Sequence, residues 1–176
     1  ALKYYIENLQ LSKELFNMDL NNLTYQDILI TACIDLGELY KDMGYLNKAL
    51  RNFLIANSIL EKICEKKPGN IYHKDLLVSS YSDIGKIYES TGYTTEALNY
   101  FTLNFEVAKE LYETNPLDRN LKKSYSVSCS KLGSIYMSFN NKVKALKLFE
   151  TDMKLTEELN IGCFVDDKLK NDMAIS

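Results

Sequence analysis

Residues 33–53 read CIDLGELYKDMGYLNKALRNF, residues 81–101 read YSDIGKIYESTGYTTEALNYF, and residues 129–149 read CSKLGSIYMSFNNKVKALKLF. The three stretches align without a gap at an offset of 48. Gly37, Gly85 and Gly133 coincide, as do Tyr40, Tyr88 and Tyr136, then Ala49, Ala97 and Ala145, then Leu50, Leu98 and Leu146, and finally Phe53, Phe101 and Phe149. Identities held through three copies at one spacing mark an internal repeat, in which each copy is one supersecondary unit.

The same offset runs outward to both ends. Ala1, Leu2 and Tyr5 take the places of Ala49, Leu50 and Phe53, so residues 1–19 read as the second helix of a preceding unit. Three full units follow at 22–68, 70–116 and 118–162, and residues 163–176 read as the start of a further first helix or a frayed tail. The chain is expected to be a single repeat domain belonging to a longer array.

Inside each unit the apolar spacing is helical. Leu77, Tyr81, Ile84, Ile87 and Tyr88 recur at steps of three and four, and Ala97, Phe101, Phe105, Ala108, Leu111 and Tyr112 do so after the turn, which predicts two amphipathic helices per unit. Gly44 and Gly92 supply left-handed helix ends, and Asn140 stands in their place in the third unit. Pro68 and Pro116 stop the second helices, and Asn70 and Asp118 offer caps for the next first helices. A glycine inside a helix costs about 1 kcal/mol relative to alanine. The recurrence of Gly37, Gly85 and Gly133 therefore predicts a partner helix approaching closely, with Ala49, Ala97 and Ala145 kept small on the facing helix and the paired Tyr and Phe filling the space between hairpins.

The fold class expected is all-α, an α-solenoid of antiparallel helix hairpins. Composition agrees: 46% of the 176 residues are hydrophobic and 26% charged, with only two prolines and seven glycines to turn strands, which disfavours an all-β domain. No stretch reaches the roughly 18 apolar residues of a membrane helix. A net charge of −3 lacks the basic excess that phosphates or anionic membranes attract.

The order Leu-Gly-x-x-Tyr, then Gly, then Ala-Leu and Phe resembles the tetratricopeptide repeat. It is carried by Leu36, Gly37, Tyr40, Gly44, Ala49, Leu50 and Phe53, by Ile84, Gly85, Tyr88, Gly92, Ala97, Leu98 and Phe101, and by Leu132, Gly133, Tyr136, Ala145, Leu146 and Phe149. The usual unit has about 34 residues; a 48-residue unit lengthens each helix by about two turns and moves the family's proline to Pro68 and Pro116. The resemblance implies a right-handed superhelix whose first helices line a concave groove for a peptide or a helix of another protein.

Helical phase places Asp27, Thr31, Ile34, Glu38 and Lys41 on that groove from the first unit. The second contributes Asp75, Ser79, Ser82, Lys86 and Glu89, and the third Lys123, Val127, Ser130, Ser134 and Met137. This face is polar, short-chained and nearly charge-balanced, suited to an extended segment. Co-chaperones of the family grip a chaperone's terminal carboxylate with cationic and amide side chains; the matching positions here hold Ile34, Glu38, Asp83, Val127 and Lys131, and two acids among them would repel it. The function expected is therefore a non-enzymatic, cytoplasmic interaction module for a protein or peptide partner. The resemblance also implies two alternatives, a peptide-sensing regulator of the bacterial quorum-sensing type and a sensor or scaffold arm of a larger protein.

No catalytic set, cofactor, metal site, nucleic-acid partner or membrane partner is expected. Cys33, Cys64, Cys129 and Cys163 form no C-x-x-C pair, which disfavours a zinc knuckle, and Cys33 and Cys129, two units apart, read as buried packing. His73 reads as a surface residue, and adjacent acids such as Glu157-Glu158 and Asp166-Asp167 as solvated faces. The thirteen tyrosines could stack on bases, but most fall at core positions of the repeat and no arginine cluster accompanies them. Leu2, Tyr5 and Leu9 mark an apolar end face through which terminal repeats are expected to associate end to end.

Overall fold

A computed structural model describes the backbone of residues 2–174 and the side chains of residues 2–161. Among the described residues seven helices follow one another: α1 (Leu2–Met18), α2 (Leu23–Asp42), α3 (Leu46–Lys66), α4 (Ile71–Ser90), α5 (Thr94–Thr114), α6 (Arg119–Ser138) and α7 (Lys142–Ala174). First helices start at 23, 71 and 119, and second helices at 46, 94 and 142, each step being 48 residues. No strand occurs among the described residues, and the fold is all-α, built from helix hairpins of the solenoid class.

The helix ends follow from side chains the sequence put there. Asn22, Asn70 and Asp118 cap α2, α4 and α6, their side-chain oxygens accepting from the backbone N–H of Tyr25, His73 and Leu121. Gly44 and Gly92 sit at φ +77° and +83°, and Asn140 at +57°. These left-handed residues let the following N–H turn back: Tyr45 donates to the Tyr40 carbonyl at 2.8 Å, Tyr93 to Tyr88 at 2.9 Å, and Asn141 to Tyr136 at 2.8 Å. That bond satisfies a carbonyl the helix end leaves open. The turn tyrosine also meets the helix tyrosine edge-on, Tyr40 with Tyr45 and Tyr88 with Tyr93, centroids 6.3 and 6.2 Å apart.

Contacts divide the chain into two compact units, Ala1–Tyr100 and Phe101–Ser176. In the first, α1 packs on α2, α2 on α3 and α3 on α4, around Ile30, Cys33, Phe53, Leu60 and Ile84, all buried. Tyr100, at the start of α5, stacks on Tyr88 at 5.6 Å and leans on Tyr81. In the second unit α6 packs on α7 around Leu121, Cys129, Ile135, Ala145 and Leu155. Tyr125 is sandwiched there with Phe105 and Tyr112 of α5, at 5.6 and 5.3 Å.

The helix-interior glycines are occupied differently from the sequence expectation. A Cβ on Gly37 would lie 2.7 Å from Phe53 Cε1, and one on Gly133 2.7 Å from Phe149 Cε1. The phenylalanine thus fills space inside its own hairpin, not between hairpins, and the glycine is the floor on which its ring lies. The end of the third unit also differs. Where the sequence sets a boundary at 162, α7 runs on as one helix of 33 residues to Ala174. At the place of Pro68 and Pro116 the third unit has Phe164, which keeps its N–H, so the backbone bonding that proline interrupts continues.

Gly37→Ala is expected to lower stability by about 1–3 kcal/mol, the usual cost of overpacking, as measured by urea unfolding. Adding Phe53→Leu should recover part of that loss. Gly44→Ala, which meets nothing within 4 Å but holds φ +77°, should destabilise with no such recovery.

Candidate partner-binding faces

In the first unit the expected groove stripe on α2 is accessible but already engaged with itself and its neighbours. Glu38 pairs with Lys41 three residues on. Thr31 donates its hydroxyl to the Asp27 carbonyl at 2.9 Å, and Ile34 is half-buried. Asp27 and Thr31 line a small hollow of about 290 Å³ together with Asn8 of α1 and Thr24. On α4, Asp75, Ser79, Lys86 and Glu89 are exposed, and Lys86 pairs with Asp83 at 3.1 Å. Ser82 departs from expectation: it is only 5% exposed and cannot face a partner. The cause is the width of the packed arc on α4, where Ser80, Tyr81 and Ser82 are all buried; three consecutive residues span about 200° of a helix at about 3.6 residues per turn.

His73 is a second correction, since it is 3% exposed. Its Nε2 lies 2.8 Å from Asp27 Oδ1, its ring meets Tyr72 edge-on at 5.1 Å, and its Nδ1 has no protein partner. The register carried the signal: His73 occupies the place of Tyr25 and Leu121, and Leu121 is a core residue. Asp27 is consequently a tether between the first helices α2 and α4.

In the second unit the stripe meets a real concavity. Lys123, Val127 and Ser130 of α6 line a cleft of about 700 Å³ with Arg119 and Lys131, closed on its other side by Asp152, Thr156, Leu159 and Asn160 of α7. Ser126 donates to Asp152 and lies 3.2 Å from Thr156 Oγ1, while Arg119 donates to the Leu159 carbonyl at 3.0 Å. Ser134 and Met137 are exposed further along α6, the Ser134 hydroxyl donating to the Ser130 carbonyl. Three cationic side chains against one carboxylate, itself engaged by Ser126, give this cleft a positive lining. The contribution of α7 escaped the sequence reading because helical phase orders residues on one helix and says nothing of what the next one brings opposite.

Cys33 and Cys129 are fully buried, as expected of packing residues, and burial pushes their thiols up to about 11 and about 12. Burial also raises Tyr100, Tyr125 and Tyr81, the last helped by its hydrogen bond to Glu61 at 2.9 Å. Among the described residues no group of three or more His, Cys, Asp and Glu could hold a metal ion, and no helix is long and apolar enough to cross a membrane.

Two family models described as tetratricopeptide repeat match the chain, over residues 128–161 and 78–103. Among solved structures, BtubC (BKLC) from P. vanneervenii is similar with a TM-score of 0.63 at 15% identity, over 90% of this chain and 57% of that one. This chain therefore spans little more than half the length of that neighbour, and the likeness concerns the fold. MamA matches over 85% of this chain and 87% of its own at 19% identity, with a TM-score of 0.34. MamA from Desulfovibrio magneticus RS-1 matches over 89% of this chain and 96% of its own at 13% identity, with a TM-score of 0.32. No curated protein matches the sequence.

The raised thiols and phenols favour the protonated forms in the folded state, so their stabilisation is fully present below the unfolded values, 9.0 for cysteine and 10.0 for tyrosine, and is lost as pH rises through the folded ones. The urea midpoint is expected to fall between pH 9 and pH 12, and Cys129→Ala should flatten part of that decline. In a Cys163→Ser background at pH 8, a thiol reagent should reach Cys64 in the native protein but Cys33 and Cys129 only after unfolding.

Proposed function

Because the chain carries tetratricopeptide repeats, units that generally serve protein interaction and not catalysis, we propose that it binds a protein or peptide partner on the accessible face of its first helices. The observation that carries this reading is the cleft beside α6, where Lys123, Val127 and Ser130 stand open next to Arg119 and Lys131. Its positive lining suits an acidic side chain of the partner, with Val127 and Met137 offering apolar contact and the serines hydrogen bonds. On α2 and α4 the pairs Glu38–Lys41 and Asp83–Lys86 leave little net charge, so these helices contribute shape and hydrogen bonding. A rigid face of this kind binds without the cost of ordering itself. The reading extends to a cytoplasmic setting and to a place within a larger protein.

A photo-crosslinking residue placed at Val127 or at Ser79 should capture the partner from native extract. Lys123→Glu combined with Val127→Arg should reduce that capture at least tenfold while leaving helicity unchanged. Capture that persists in this variant would sink the reading.

End-to-end self-association is a second reading, favoured by the apolar side chains open on α1. The residues differ in part from the expected ones: Tyr5 is open and Leu2 half-buried, but Leu9 is 8% exposed and packs inward, whereas Leu11 and Met18 are 60% and 75% exposed, with Tyr4 also open. Tyr4, Leu11 and Met18 recur at seven residues and so share one face. Sedimentation should show concentration-dependent association that Leu11→Lys abolishes; a strict monomer at high concentration counts against it.

A further inference from the structure

A second surface lies within the first unit, away from the first-helix stripe. Between α1 and α3 runs a trough floored by α2, made of two adjoining hollows of about 560 and 350 Å³ that share Phe16, Ile59 and Lys62. Along α3 its wall carries Leu50, Leu54 and Ile55, all half-buried, above Ile59 and Ile63, which are buried in its floor, and at its far end Leu20 of the α1–α2 turn is exposed. From Leu50 to Ile63 the trough runs about 20 Å at about 1.5 Å per residue, three to four turns of a facing helix, with its accessible apolar side chains towards the two ends, Leu54 and Ile55 at one and Leu20 at the other.

The charge along this trough is of one sign. Arg51, Lys62, Lys66 and Lys67 line it and no carboxylate does, in a chain whose net charge is −3. None of the four cations makes an ion pair among the described residues; Lys66 reaches only the Asn21 side-chain oxygen at 3.2 Å. Of the nearby acids, Glu61 accepts from Tyr81 and Asn57, Glu14 from Gln10, and Asp19 from the Asn21 backbone, while Glu65 is exposed outside the lining.

The repeat supplies an internal control. At the places of Leu54 and Ile55 the later units have Thr102 and Leu103, then Glu150 and Thr151. Lys62 becomes Glu110 and Glu158, and Lys66-Lys67 becomes Thr114-Asn115 and Gly162-Cys163. The hairpin therefore closes without this combination of apolar ridge and cationic rim, and only the first unit has it. We propose that the trough between α1 and α3 docks an acidic amphipathic helix of a partner protein, its apolar face on the α3 ridge and its carboxylates on Arg51, Lys62, Lys66 and Lys67.

The test uses the full chain and a fluorescein-labelled synthetic 18-residue helix with leucines on one face and glutamates on both flanks, read by fluorescence anisotropy. A twin with lysine for every glutamate is the comparison. The acidic helix should bind at least tenfold more tightly than its twin, and less tightly as salt rises from 50 to 500 mM. Leu54→Glu combined with Lys62→Glu installs residues the third repeat already holds at those places, so the hairpin should fold, as circular dichroism would check, while affinity falls at least tenfold. Lys123→Glu with Val127→Arg should leave the affinity unchanged, which separates this surface from the α6 cleft. Equal binding of the two helices, or binding undiminished by the Leu54 and Lys62 changes, overturns the proposal. So does dimerisation of the protein alone that Leu54→Glu abolishes, since the occupant would then be a second copy.

Discussion

The contact on which the α2–α3 and α6–α7 hairpins depend is a phenyl ring laid on a helix backbone. Phe53 covers Gly37 and Phe149 covers Gly133 so closely that a single added carbon would meet the ring at 2.7 Å. Glycine in a helix interior costs about 1 kcal/mol, and the gain is an aromatic side chain packed between two helices, fully buried at Phe53 and half-buried at Phe149. Ala49 and Ala145, both completely buried, keep the rest of the same seam narrow. Everything displayed on the outer faces is placed relative to that seam, including the α1–α3 trough and the α6–α7 cleft.

Cysteine chemistry fits the same economy of space. Cys33 and Cys129 stand one turn before these glycines and are sealed from solvent, where a small apolar side chain packs and a thiolate is disfavoured. The tyrosines are divided between structure and surface. Tyr81 and Tyr125 are buried with raised phenols, whereas Tyr4, Tyr45 and Tyr93 are open. A count of thirteen tyrosines therefore says less about ligands than about how much aromatic area a stack of long helices must supply.

Much of the architecture was legible because it rests on local rules. Asn70 and Asp118 cap, Gly44 and Gly92 turn left-handed, and the helix starts recur at the spacing of the motif. What escaped depends on neighbours. Ser82 has the helical phase of a groove residue but lies within the broad buried arc of α4. His73, polar by type, occupies a core place that only comparison with Leu121 discloses. The lining that α7 gives the α6 cleft, and the shared boundary of the two hollows beside α3, come from helices far apart in sequence, where no periodicity reports who faces whom.

The turn geometry has a kinetic consequence. Tyr40 is joined to Tyr45, and Tyr88 to Tyr93, by both a ring contact and a backbone hydrogen bond across five residues. Closing so short a loop costs little chain entropy and falls within the fastest elementary events of folding. Each turn is thus a local nucleus from which its two helices can zip, and contacts of such short sequence separation favour rapid folding.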